Sequence, residues 1–237
     1  MLQPDFVEHL EEFRKRLIYC LVVFLLATIV AWFYSKQLID LFILPLKQSA
    51  EAQLYFDKPY EAFFTHVKAA ALTGTIISSP FILTQGWLFV APGLYQREKK
   101  LMLPLILISS VLFFVGVLFA YFFVIPWGLN FLLSYQTENL KPLVGIAPYF
   151  SFVVGMTLSF GILFDFPVAI VGLAKMGLVR TATFAKSRKV FILIIFIVAA
   201  VLTPSPDPIS QCLLAIPLWL LFEISLLIAR FLEPKTC

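Results

Sequence analysis

Long apolar runs punctuated by short polar stretches dominate this sequence, and their lengths predict helices that cross a membrane. Residues 4–17, PDFVEHLEEFRKRL, place Phe6, Leu10, Phe13 and Leu17 at helical spacing beside a charged face, which predicts an interfacial helix feeding the first span. That span is expected over about 17–34, with Trp32 and Tyr34 at its far end, where amphipathic rings settle at the membrane interface. Before the next span, Leu38, Leu41 and Phe42 mark one side of a helical piece, and Asp57, Pro59 and Glu61 signal the start of another through PYEAFFTHVKAAA. Together these pieces predict a cap on that face of the membrane. The remaining spans are expected over about 69–91, 101–127, 149–174, 188–203 and 209–230, all within a single membrane domain covering residues 1–237. The second is rich in hydroxyl side chains and interrupted by Pro80, so it should be bent and largely surrounded by protein. The fifth apolar run, from Val190 to Leu202, covers roughly 20 Å of a hydrocarbon core of about 30 Å. Either its helix extends through the basic flank or the local membrane is thinned.

The fourth span carries one acid, Asp165, near its middle. An isolated carboxylate at that depth costs roughly 2.5 to 3.5 kcal/mol on insertion scales, so its default reading is functional and directed away from lipid. Ser151, Gly155 and Ser159 recur every four residues and predict a small-residue seam along which another backbone comes close. Pro167 supplies no N–H and should free the carbonyl near Leu163 and bend the helix, which a membrane tolerates only beside protein or a wet cavity. These features predict a curved, protein-lined groove around Asp165; the alternative is an acid paired with a helix-borne base or kept protonated. In the sixth span, Glu223 lies seven residues before Arg230 on nearly the same side, which predicts a local pair or snorkelling.

Composition agrees: with 61% hydrophobic and only 14% charged residues, the chain is expected to be an integral membrane protein. Thirteen of the basic residues fall on the face holding both termini and five on the other, so the positive-inside rule places the termini in the cytoplasm. Cys20, Cys212 and Cys237 have no ligand or disulfide spacing, and no cleavable signal peptide is apparent. His9 and His66 fall on opposite faces, and no catalytic or phosphate-binding motif appears, so an enzyme is not expected. No metal, cofactor or nucleic acid is expected. The acids Glu8, Glu11, Glu12 and Glu98 stand among bases on the cytoplasmic surface, where they could receive a basic ligand or simply balance local charge.

The stretches HLEEFRKRL, FVAPGLYQREKK, FGILFDFPVAI and TPSPDPISQCLLAIP, in that order along nearly the whole chain, resemble TatC, the multispanning receptor subunit of the twin-arginine protein translocase. The resemblance implies an all-α protein of six transmembrane helices in a curved, concave arrangement, in the cytoplasmic (inner) membrane. It implies a receptor for the twin-arginine signal peptides of folded proteins, with export driven by the proton-motive force. TatA- and TatB-type single-span partners, the lipid bilayer, and a homo-oligomer within a larger complex are implied as well. Carried over residue by residue, the peptide surface would include Glu12, Arg14, Arg16, Phe89, Pro92, Leu94, Tyr95 and Glu98. A carboxylate accepts a guanidinium through paired, charge-assisted hydrogen bonds, so Glu12 and Glu98 can account for a preference for arginine over lysine. The family's membrane-depth acid is usually glutamate, and Asp165 is one methylene shorter. Leu202 and Gln211, at the outer ends of the short fifth and sixth spans, are expected to dock single-span partners. Two other classes compete: a proton-coupled small-molecule transporter using Asp165, and an assembly subunit with no ligand of its own. The first would be supported by inverted-repeat symmetry, and none is found between the halves.

Overall fold

A computed structural model describes residues 4–49, 54–90, 102–134, 143–175, 188–202 and 208–232. The chain is helical throughout this part save for one two-residue strand pair. Helix α1 runs unbroken over Pro4–Phe33, so the amphipathic opening and the first apolar run form one rod. Helix α2, Ser35–Ser49, follows after a single residue, and α3 extends over Pro59–Val90, joining the second cap piece to the next apolar run. Helix α4, Met102–Phe119, widens into a π-helical turn at Ala120–Val124 and continues as α5, Ile125–Leu133. The widening precedes Pro126, which has no N–H to offer the carbonyl of Phe122. The rod therefore continues past the span end expected near residue 127. Helices α6, Ile146–Phe164, α7, Phe166–Lys175, α8, Arg188–Leu202, and α9, Pro208–Leu232, complete the chain.

Four stretches among the described residues are long and apolar enough to cross a membrane: His9–Phe33, Pro59–Phe89, Met102–Leu133 and Ile146–Gly172. Helix α8, with 15 residues, covers only about 22 Å at 1.5 Å per residue. Exposed leucine, isoleucine, valine and phenylalanine side chains line α1 and the outer sides of α4, α8 and α9, as a lipid solvent requires.

Prolines inside the rods are matched by side-chain donors. Pro80 withholds an N–H from the carbonyl of Ile76, and the Ser79 hydroxyl donates to that oxygen at 2.8 Å. Pro45 does the same to Leu41, whose carbonyl accepts from Tyr121 Oη at 2.6 Å. Tyr149 Oη donates to the carbonyl of Phe42 at 2.7 Å, so two tyrosines from other helices hold α2 down as a cap. Strands β1, Leu54–Tyr55, and β2, Val144–Gly145, pair in parallel and tie the two connections on that side together.

Helices α3, α4 and α6 pack on one another, with α1 on one flank and α7, α8 and α9 on the other. Helix α1 lies antiparallel against α3; α3 also packs on α4 and α6, α4 on α6, α7 on α9, and α9 on α8. The core runs through Leu72, Ala120, Ile125, Phe150, Val153, Met156, Phe160, Leu218 and Phe222. Gly116 lets α4 reach α6: a Cβ there would stand 2.5 Å from the carbonyl oxygen of Phe160. Gly74 does the same for α1 and α3, where a Cβ would stand 2.9 Å from the Thr28 backbone.

Candidate functional site

The antiparallel pairing of α1 with α3 brings the N-terminal end of one beside the C-terminal end of the other. Glu12 and Arg16, one turn apart, share a side of α1. Arg16 Nε donates to Glu12 Oε1 at 3.0 Å, and Nη2 donates to that same oxygen. Arg16 Nη1 crosses to α3 and donates to Gln85 Oε1 at 3.0 Å. One turn further along α3, Phe89 is held by two rings of α1: His9 stacks on it at 4.4 Å and Phe13 meets it edge-on at 5.4 Å. Arg14 is exposed and projects from the other side of α1. Thus Glu12, Arg16 and Phe89 lie on one surface and Arg14 is turned away from it, while Pro92, Leu94, Tyr95 and Glu98 lie outside the described residues.

Asp165 sits at the break between α6 and α7. Its own N–H turns back to the carbonyls of Ile162 and Leu163, so the oxygen left without the Pro167 N–H still receives a donor. The Asp165 carbonyl accepts from the Ala169 N–H at 3.0 Å and carries the chain into α7. Its Oδ1 is buried and has no hydrogen-bond partner among the described residues.

The small-residue seam does not do what its spacing predicts. The buried face of α6 is Val153, Met156, Thr157, Phe160 and Gly161, and this face meets α4. Ser151, Gly155 and Ser159 lie on another side; Ser151 is exposed and a Cβ on Gly155 would find nothing within 4 Å. Lys68 Nζ of α3 donates to Ser151 Oγ at 2.8 Å, so the seam is open and polar rather than a close backbone crossing.

In the last two helices Glu223 pairs with Arg188 of α8 at 3.0 Å, across helices; the Arg230 side chain, expected as its local partner, lies outside the described side chains. Gln211 Nε2 donates to the carbonyl of Phe196 at 2.8 Å, so this amide N–H already fastens α9 to α8. Leu202 is the final residue of α8. Between the two helices an apolar recess of about 210 Å³ is lined by Ile192, Ile195, Phe196, Ala215, Ile216 and Trp219.

The family described as Sec-independent protein translocase protein (TatC) matches residues 8–217. The chain is 38% identical over 231 residues to the "Sec-independent protein translocase protein TatC" of Escherichia coli, covering 97% of this chain and 89% of that one. It is 39% identical over 231 residues to the protein of the same name from Aquifex aeolicus, covering 96% and 95%. A solved structure, "Crystal Structure of Twin Arginine Translocase Receptor- TatC", superposes with a TM-score of 0.87 at 38% identity, covering 95% of this chain and all of that one. The chain belongs to the TatC family. TatC is a membrane-embedded, non-enzymatic translocase component, and the comparisons give the small-molecule transporter no support. In this TatC, the sequence pattern alone had not singled out Gln85, His9 and Phe13 as site residues. Their signal was present: Gln85 and Phe89 are four apart on α3, and His9, Phe13 and Arg16 follow at intervals of four and three on α1.

Proposed function

We propose that this TatC is the receptor of a twin-arginine translocase and captures signal peptides of folded proteins at the surface formed by Glu12, Arg16, Phe89 and the loop bearing Pro92, Leu94, Tyr95 and Glu98. One observation carries the reading: this surface already holds a guanidinium, that of Arg16, between a carboxylate and an amide. Acceptors suited to a peptide arginine are therefore assembled at a membrane interface, where an incoming arginine stays hydrated until captured. The chain spans the cytoplasmic membrane six times, over about 17–34, 69–91, 101–127, 149–174, 188–203 and 209–230, with both termini in the cytoplasm. The excess of bases on that face supports the orientation. Asp165 serves a wet intramembrane groove, and the α8–α9 side docks TatA- and TatB-type single-span partners, with several copies in the working complex and the proton-motive force as driver.

The test is capture of an Arg-Arg peptide with an apolar stretch by the detergent-purified chain, against a Lys-Lys control. Charge-assisted hydrogen bonds contribute about 1.5–3 kcal/mol, so Glu98→Ala should weaken Arg-Arg capture by about tenfold or more and Lys-Lys capture less. Equal loss for both peptides would remove the paired-hydrogen-bond argument.

A further inference from the structure

Arg16 is held in an unusual division. An Arg–Glu pair one helical turn apart is free to meet as a fork on two oxygens, with parallel N–H donors each taking one. Here Nε and Nη2 both converge on Oε1 of Glu12, and Nη1 is drawn across to Gln85 Oε1 at 3.0 Å. The Glu12 side chain keeps 32% of its surface exposed, against 22% for Arg16. The resident arginine is thus the more enclosed partner, and it engages the carboxylate through one oxygen.

We infer that Gln85 is a positioning residue for arginine recognition: by holding Nη1 it fixes the orientation of the guanidinium, in which Nε and Nη2 share one oxygen of Glu12, and so keeps Oε2 presented to a second guanidinium. This rests on the reading of Glu12 as an arginine reader. An amide is suited to the task because its oxygen accepts from the guanidinium without adding a charge that would compete for the peptide. Gln85 itself need not touch the ligand. Without it, the Arg16 fork is free to swing onto Glu12 alone, satisfy both carboxylate oxygens, and leave the peptide arginine to compete for an acceptor already taken.

The experiment uses the full chain in detergent, with Arg-Arg and Lys-Lys peptides and a thermal unfolding curve for each variant. Gln85→Leu removes the acceptor while keeping bulk. A single hydrogen bond is worth about 0.5–1.5 kcal/mol, so Arg-Arg affinity should fall by about three- to tenfold, Lys-Lys affinity should change less, and the unfolding midpoint should stay close to wild type. Gln85→Glu, which still accepts from Nη1 but adds a competing charge, should recover only part of the preference for arginine lost in Gln85→Leu. A Gln85→Leu chain that keeps the preference, or that loses both peptides equally with a lowered midpoint, overturns the proposal, the latter showing a plain tie between α1 and α3. Failure of the underlying reading looks different: a wild-type chain that captures both peptides alike, or a Glu12→Gln variant with undiminished preference, removes Glu12 as reader, and the role of Gln85 with it.

Discussion

At the scale of single residues, Asp165 carries a buried oxygen that no described residue satisfies, a costly arrangement for an acid in an apolar run. Its position in the sequence was enough to mark it, because an acid followed by Pro167 in an apolar run has few harmless readings. Asp165→Asn preserves shape and hydrogen-bonding capacity while removing charge. It should retain peptide capture in the binding assay and lose transport in a vesicle export assay, whereas Asp165→Leu should disturb the groove as well. A water-soluble thiol reagent should label Asp165→Cys from the aqueous phase; no labelling, together with full export by the leucine variant, would reduce the acid to filler. Partners were harder to read than the residues themselves. The Glu223 carboxylate meets Arg188, 35 residues away, and helical spacing carries no information about the next helix. Gln85 escaped notice for the same reason, since its meaning depends on Arg16, 69 residues distant.

At the scale of elements, the apolar runs located the helices well, and Pro167 marked the break at Asp165, while α3 runs unbroken through Pro80. What the pattern left open was the side each helix turns to its neighbour. Ser151, Gly155 and Ser159 have the spacing of a helix crossing, yet α4 meets α6 through Gly116, Phe160 and Gly161. Small residues permit close approach; they do not compel it, and bulky side chains on the opposite face bury more area. The distinction is measurable. Gly116→Ala introduces a carbon 2.5 Å from a carbonyl oxygen and should destabilise the detergent-solubilised chain by about 1–3 kcal/mol. Gly155→Ala, with open space around it, should leave the thermal midpoint within about 0.5 kcal/mol of wild type in equivalent stability. Equal effects from the two substitutions would contradict the assigned packing face.

At the scale of the whole molecule, the central trio of helices has two unlike flanks. Helix α1, whose apolar surface is almost entirely exposed, forms one flank, and the short α8 with α9 lies on the other. A 15-residue helix falls short of a full bilayer, and the apolar recess beside it offers a surface for a single transmembrane helix. Cysteines at Leu202 or Gln211 should therefore cross-link to a TatA- or TatB-type helix in membranes, and contacts confined to α1 and α4 would place the docking face elsewhere. The strand pair on the capped side bears on how the chain is made. Leu54 faces Val144, about ninety residues later, so the ladder closes a long loop. During synthesis α1, α2 and α3 emerge well before β2, and the cap waits for its second strand and for the Tyr149 hydroxyl that fastens α2. Completion of the cap is therefore a late event in biogenesis, reached only once the start of α6 has been made.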